Sequence, residues 1–196
     1  MRACVISDIH ANLHALEAVL RAVKDEAPDE IWCLGDLVGY GPRPNDCCRL
    51  VAESVDVCLV GNHDLAALGR LDLGDFSADA ATSARWTASV LEPDALTYLQ
   101  SLTPSALRAG VGAYHASPRD PVWEYVLSEH AARVALALTS EPLVLVGHSH
   151  VALALSVSDE RLSGGLAPDG TEIELEGTRW LLNPGAVGQP RDGDPR

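Results

Sequence analysis

The chain has 196 residues, 47% of them apolar, and a formal net charge of −14. That length supports one sizeable core, or a domain with a small appendage, and the apolar share is that of an ordinary globular protein. The acidic balance and the scatter of the 14 Lys and Arg leave no basic patch, which argues against long nucleic acids as partners. No apolar run approaches the length of a membrane span. The short apolar stretch at the N-terminus ends at Asp8, unlike a signal peptide, so the expected compartment is the cytosol. None of the 5 cysteines has zinc-ribbon spacing. Cys4, Cys33 and Cys58 sit in apolar runs, where Cys behaves as a small hydrophobe, and Cys47-Cys48 lies in a helical-looking stretch.

The first predicted strand is Ala3 to Ser7, and it delivers Asp8-Ile9-His10. Asn12 can cap a helix from Leu13 to Lys24, in which Leu13, Leu16, Leu20 and Val23 recur at helical spacing. Pro28-Asp29 breaks it. A second strand, Ile31 to Leu34, runs into Gly35-Asp36, and this strand–helix–strand unit argues for parallel pairing. A Gly- and Pro-rich loop from Gly39 to Asn45 leads to a short helix near Asp46 to Glu53. The third strand, Val55 to Val60, runs into Gly61-Asn62-His63-Asp64. Residues 65 to 103 look mostly helical, with Trp86, Val90, Leu96, Leu99 and Leu102 as apolar anchors. Gly110 to His115 reads as a strand and Pro118 to Pro121 as a loop. Ser128 is a predicted N-cap for a helix from Glu129 to Leu138. Leu143 to Val146 is a buried strand ahead of Gly147-His148-Ser149-His150. Beyond it the pattern turns to strands without helices: Ala152 to Val157, Glu172 to Glu176 and Arg179 to Leu182. With no repeat and no linker, the expectation is one α/β domain over 1–196.

Four apolar runs thus end in O or N donors, the position at which parallel α/β sheets place their sites. The set is Asp8, His10, Asp36, Asn62, His115, His148 and His150. Its mixture of carboxylate, amide oxygen and imidazole suits borderline to hard divalent ions. Manganese heads the expectation, with iron, nickel, zinc or magnesium as alternatives. Two such ions can clamp the attacking and leaving oxygens of a displacement at phosphorus, with Asp36, the carboxylate in the middle of the set, bridging them. Each motif alone has a plainer reading. Asp-x-His and Gly-Asp can simply end strands, Gly-Asn-His-Asp can be a turn, and His115 can be a core histidine. The order and combination favour a pair of divalent ions.

Together Asp8-Ile9-His10, Gly35-Asp36, Gly61-Asn62-His63-Asp64, His115 and Gly147-His148-Ser149-His150 make the chain resemble the calcineurin-like metallophosphoesterases. The likeness is to their small bacterial and archaeal phosphodiesterase branch, whose closing motif Asn183-Pro184-Gly185 also resembles. It implies a four-layer α/β/β/α sandwich with two mixed β-sheets and a dinuclear centre. By that resemblance one ion takes Asp8, His10, Asp36 and His150, and the other takes Asp36, Asn62, His115 and His148. His63 then faces the leaving group or a phosphate oxygen. Protein phosphatases and symmetrical dinucleoside tetraphosphatases of the superfamily carry Asp-Arg-Gly where this chain reads Gly39-Tyr40-Gly41. The absence of that phosphate-clamping Arg turns the reading away from those two activities. The family pattern continues with further strands, so the chain is either short at its carboxyl end or lacks its tail.

The expected activity is metal-dependent hydrolysis of a small phosphodiester, by attack of a metal-bridging hydroxide with no phosphoenzyme. His63 is the expected proton donor to the leaving group, its plainer role being to order its neighbours. Asp64 is expected to cap the following helix. Asn12 reads as a helix cap or a donor to the substrate phosphate. Tyr40, Arg43 and Arg191 are expected substrate contacts, although Arg191 can equally pair with Asp192 or Asp194. Two alternatives stand beside the diesterase. One is a phosphomonoesterase, for which few extra cationic donors are present. The other is a non-catalytic scaffold like the retromer subunit that resembles the same family, but there the imidazole corresponding to His63 is lost.

Overall fold

Three clusters of buried apolar side chains, stacked one on the next, define the layers of the computed structural model, which describes residues 1–158, 161–175, 177–191 and 193. In chain order the elements are β1 (Ala3–Ile6), α1 (Leu13–Glu26), β2 (Glu30–Cys33), α2 (Pro44–Ser54), β3 (Val57–Cys58), α3 (Asn62–Ala67), α4 (Ala78–Val90) and α5 (Pro93–Ser101). Then come β4 (Ser105–Arg108), β5 (Val111–Tyr114), α6 (Glu129–Ala137), β6 (Leu143–Val146), β7 (Leu153–Ser158), β8 (Arg161–Leu166) and β9 (Arg179–Asn183). β1, β2 and β3 form one sheet in that order. The other sheet runs β4-β5-β6-β9-β7-β8.

The clusters follow from period-2 alternation in strands that are covered on both faces. Cys33 of β2 points into the first cluster, with Ile6 of β1, Leu16 of α1, Val51 of α2 and Leu99 of α5. Its neighbour Trp32 points the other way, into a cluster between the sheets with Leu34, Leu59, Ala113 and Leu145. On β6, Leu145 faces that inter-sheet cluster. Val144 and Val146 face the third cluster, with Leu181 of β9 and Ala132 and Leu136 of α6. The order is therefore helices, sheet, sheet, helix, the expected α/β/β/α sandwich. Trp32 is the largest fully buried side chain between the sheets, and burial of a large apolar side chain contributes about 1.5–3 kcal/mol.

The caps form where the sequence places them. Asn12 accepts from the Ala15 amide at the start of α1, and Ser128 accepts from the Ala131 amide at the start of α6. Among the described residues no helix is long and apolar enough to cross a membrane.

Several expectations are corrected in detail. The first sheet is parallel throughout, and only the second is mixed. The stretch 65–103 is three helices with a 3-10 turn at Leu73–Asp75. Trp86 is 42% exposed and anchors nothing; small residues (Ala80, Ala81, Ala84 and Thr87) form the buried face of α4 instead. β4, Ser105-Ala106-Leu107-Arg108, has no apolar run to announce it, and it pairs with β5 through a two-residue turn. Ala109 and Gly110 of that turn are both left-handed, as a tight hairpin requires. β8 is masked in the sequence by Gly164-Gly165. The strand expected at Glu172 to Glu176 is absent over 171–175, and Glu176 lies outside the described residues. That segment pairs with neither edge strand of the second sheet, β4 or β8.

Candidate metal centre

The loops that leave β1, β2, β3, β5 and β6 meet at one end of the two sheets. Beyond β1 the chain keeps bonding to the loop after β2: the Asp8 amide donates to the Gly35 carbonyl, His10 to Asp36 and Ala11 to Leu37. These loops hold side chains in backbone conformations that L-residues avoid. Among the described residues nine non-glycine positions have positive φ, and five of them are Asp8, His10, Asp36, His148 and His150. A left-handed non-glycine residue costs about 1–2 kcal/mol. Strain concentrated at five of seven candidate ligands is what a functional constraint leaves behind.

All seven candidate ligands are buried. Donor atoms of Asp8, His10, Asp36 and His150 lie within 4.8 Å of one another, as do those of Asp36, His115 and His148, so Asp36 belongs to both groups. Asn62 joins the second group through its side-chain oxygen, 3.2 Å from His115 Nε2. The tautomers follow from the partners. His10, His115 and His150 each set Nδ1 against a backbone carbonyl (Val38, Leu34 and Gln189), which accepts only from N–H. Neutral rings then turn bare Nε2 atoms inward. His148 is the reverse, with Nε2 against the Trp123 carbonyl and Nδ1 left for the cluster.

That arrangement tests the fit of a cation. His10 Nε2 and His150 Nε2 stand 3.0 Å apart, two lone pairs facing each other. Asp36 Oδ2 lies 3.7 Å from His10 Nε2 and 3.6 Å from His115 Nε2, and Asp8 Oδ1 lies 3.4 Å from His150 Nε2. Both oxygens are buried and lack a hydrogen-bond donor, whereas the other oxygen of each carboxylate is satisfied. Ser7 and the His148 amide donate to Asp8 Oδ2, and the His63 amide donates to Asp36 Oδ1. Donors about 2.1 Å from a shared ion stand about 3.0–3.4 Å apart at octahedral or tetrahedral angles. Acceptors that converge at such spacing, with no proton between them, fit divalent ions.

The electrostatics agree. Burial, followed by the charges of Asp64 and Asp8, pushes the Asp36 carboxyl well above the carboxylate range. Burial acts the same way on Asp8, but the neighbouring imidazoles, His150 first, outweigh it and hold that carboxyl low. Burial, then repulsion from His115, pushes His148 down to about 3. Burial also lowers His10 and His115. Neutral imidazoles are the state in which a ring can bind a metal, and a cation at the cluster would favour the ionised Asp36 carboxyl that burial opposes.

His63 is buried beside this cluster. Its ring packs 4.5 Å from Tyr40 and 4.9 Å from His10, and its Nδ1 has no hydrogen-bond partner. Burial, then repulsion from His115 and His150, pushes it down to about 3. Asp64 does not orient His63. Its carboxylate accepts from the Gly61 and Val38 amides, closing the first turn of α3 as expected. A Cβ at Gly61 would collide with the Asp36 carboxylate, so glycine there lets the bridging candidate sit against the backbone.

The four expected substrate contacts are placed differently. Tyr40 lies against His10 and His63, while the Arg191 guanidinium donates to Gln189 Oε1. The pairing of Arg191 with Asp192 or Asp194 lies outside the described residues. Asn12 accepts from the Ala15 amide and donates to the Gly188 carbonyl, so both ends of its amide are committed. The Arg43 guanidinium turns to Asp46 at the start of α2.

Sequence reasoning also left supporting residues without roles. Asn183 at the end of β9 donates to the Gly147 carbonyl and to Ser149 Oγ, fixing the loop that carries His148 and His150. The segment after it is stitched over the site. Val187 donates to Ser7, Gly188 to Asp8 and Arg191 to His150, all through backbone amides. A Cβ at Gly188 would strike the Ile9 carbonyl, so this crossing needs glycine. The Asn183-Pro184-Gly185 motif was the one signal pointing to this segment.

Comparison with known proteins agrees with this picture. A protein of Methanocaldococcus jannaschii, MJ0912, described as uncharacterized, is 39% identical over 196 residues, covering 96% of this chain and 77% of that protein. The crystal structure of a metallophosphoesterase from Sphaerobacter thermophilus matches with a TM-score of 0.88 at 40% identity, over 100% of this chain and 80% of that one. A symmetrical bis(5'-nucleosyl)-tetraphosphatase of Actinobacillus pleuropneumoniae is 35% identical over 74 residues only, 36% of this chain and 27% of that enzyme. The family model described as the calcineurin-like phosphoesterase superfamily domain matches residues 1–196, and the chain belongs to that superfamily.

Proposed function

We propose that the chain is a metal-dependent phosphoesterase that hydrolyses a small phosphodiester. The observation that carries this reading is Asp36 Oδ2, a buried carboxylate oxygen with no donor that faces an imidazole from each of two ligand groups. Asp8, His10, Asp36 and His150 would hold one divalent ion, and Asp36, Asn62, His115 and His148 the other. Manganese leads, since oxygen and imidazole donors are mixed. Such a pair supplies charge neutralisation for a phosphoryl group and water of lowered pKa.

The remaining work falls to the chain itself. The Val38, Leu34 and Gln189 carbonyls hold three imidazoles in the tautomer that offers Nε2. Water attacks phosphorus, the bond to the leaving oxygen breaks, and that oxygen takes a proton. His63 is assigned to the leaving side, where its ring N–H supplies a hydrogen bond or the proton itself. Tyr40 and Arg191 are assigned to the substrate's outer oxygens. The net charge of −14 favours a substrate with few phosphates. The partial match to the tetraphosphatase supports a second reading, a nucleotide phosphoanhydride.

The test is hydrolysis by metal-stripped protein resupplied with Mn, Ni, Mg or Zn. Substrates are a chromogenic diester, the matching monoester and a dinucleoside polyphosphate. Metal-dependent cleavage fastest on the diester is expected. Preference for the polyphosphate selects the second reading, and preference for the monoester makes the chain a phosphatase. No turnover by protein holding two ions per chain overturns the enzyme reading.

A further inference from the structure

The chain holds 1 Phe, 4 Trp and 4 Tyr. Four of these nine rings gather at the metal centre, on three separate loops. Tyr40, between β2 and α2, lies 4.5 Å from the His63 ring. Phe76, just before α4, lies 5.4 Å from His63 on its edge. Trp123, between β5 and α6, lies 4.8 Å from Phe76. Tyr125, two residues on, stacks on the His148 ring at 4.0 Å with planes 21° apart. None of the four is fully buried, and Tyr125 is 46% exposed. An ordinary core would bury them; β2 does this with Trp32.

The loop that presents Trp123 is built rigidly. Asp120 Oδ1 accepts from the amides of Val122 and Trp123, and Glu124 is held by Ser117 and Arg119. The Trp123 carbonyl is also the partner of His148. The wall therefore starts on rings next to the orphaned carboxylate oxygens and runs outward from them.

We infer that this wall is a stacking site for a flat aromatic group carried by the substrate, a nucleobase, which makes the substrate a small nucleotide ester. The inference rests on the phosphoesterase reading, because it takes the phosphate to sit over the Asp36 cluster. These partly exposed rings, 4.0–5.4 Å from one another or from the His63 and His148 rings, offer π surface beside the cluster over which that phosphate would sit. Stacking tolerates any base, and no side-chain amide on the wall offers paired hydrogen bonds to a base edge. The site is thus expected to recognise the presence of a base rather than its identity.

The test compares equilibrium binding of AMP and ribose 5-phosphate to manganese-loaded protein by calorimetry, with tryptophan fluorescence as a second readout. AMP is expected to bind about tenfold tighter and to quench fluorescence. Phe76→Leu and Trp123→Leu proteins are each expected to shrink the affinity ratio toward about twofold, and Trp123→Leu to remove the quench. Both side chains sit on loops and are partly exposed, so both variants should fold; Tyr125→Ala serves as an independent third. Equal binding of the two ligands by wild type, or an undiminished ratio in all three variants, overturns the stacking site and leaves the phosphoesterase reading standing. No binding of either ligand, with metal bound, overturns both.

Discussion

The two sheets contribute unlike halves to one centre. The first sheet supplies every candidate carboxylate and the amide, Asp8, Asp36 and Asn62, together with His10. The second supplies only imidazoles, His115, His148 and His150. Both halves carry left-handed residues, but the two oxygens without donors lie in the charged half, whereas the neutral half is held by carbonyls and by Asn183. Neither half is a site alone. The distance between them is set by Trp32, Leu59, Ala113 and Leu145 packed between the sheets. Core packing is therefore also ligand positioning, and the anionic half is unstable until the other half and a cation meet it.

The sharpest way to break this comparison is Asp36→Asn. It removes the carboxylate shared by both ligand groups. Loss of several kcal/mol of charge stabilisation should lower turnover about 10³-fold, and bound metal should fall below two ions per chain by elemental analysis. In the metal-free protein the same change should act oppositely. It removes a carboxyl that burial, Asp64 and Asp8 keep from ionising in the folded chain, and the neutral amide can donate to a bare imidazole nitrogen, so stability at neutral pH should rise by about 1–2 kcal/mol. A metal-free mutant less stable than metal-free wild type in urea melts would refute strain in the charged half. Excess metal should stabilise wild type by about 2.7 kcal/mol at a hundredfold excess over Kd, a Tm rise of about 5–10 °C that Asp36→Asn largely loses.

His63→Ala sits outside both halves. It should leave two ions bound and lower kcat about 10²–10⁴-fold. Equal kcat in wild type and mutant removes His63 from the reaction, while loss of metal makes it part of the centre. Asn183→Ala probes the neutral half from behind. It frees the Gly147 carbonyl and Ser149 and should weaken metal binding about 10–100-fold, as removal of such supporting partners does. Unchanged metal affinity there would show that the loop holds itself.

How much of this was legible depends on what each residue's job requires. Strand ends carrying Asp8, Asp36, Asn62 and His148 were readable, because an apolar run that stops at a donor is a local pattern. The α/β/β/α layering was accessible only through resemblance, since it depends on which face of β2 or β6 meets which neighbour. β4 and β8 stayed hidden because Ser105-Ala106-Leu107-Arg108 and a strand with Gly164-Gly165 carry no apolar run, although each pairs with its neighbour in sequence, β5 and β7. Trp86 misled because helical periodicity does not reveal that α4 buries small residues. Asn183 could be flagged within a motif but not given a role, and Gly188 was not flagged. Their work is done on backbone carbonyls of other loops, Gly147 and Ile9, which leave no trace in composition or spacing.

The smallest expected effects lie at the rim, where two arginines of similar sequence context separate. Arg43 and Arg191 both sit in loops near the centre in sequence terms. Arg43 is held by Asp46 in an exposed ion pair, and such pairs contribute about 0–1 kcal/mol. Arg191 instead follows the segment stitched over Asp8 and His150, and its guanidinium donates to the neutral Gln189 side chain rather than to a carboxylate. Arg191→Ala should therefore raise KM severalfold, about 1 kcal/mol of lost contact to a phosphate oxygen, with kcat little changed. Arg43→Ala should shift both constants by less than about twofold. Steady-state kinetics on the preferred ester decides between them. Equal effects would mean that the tail carries Arg191 past the substrate, and that the cation serving the phosphate comes from the β2–α2 loop instead.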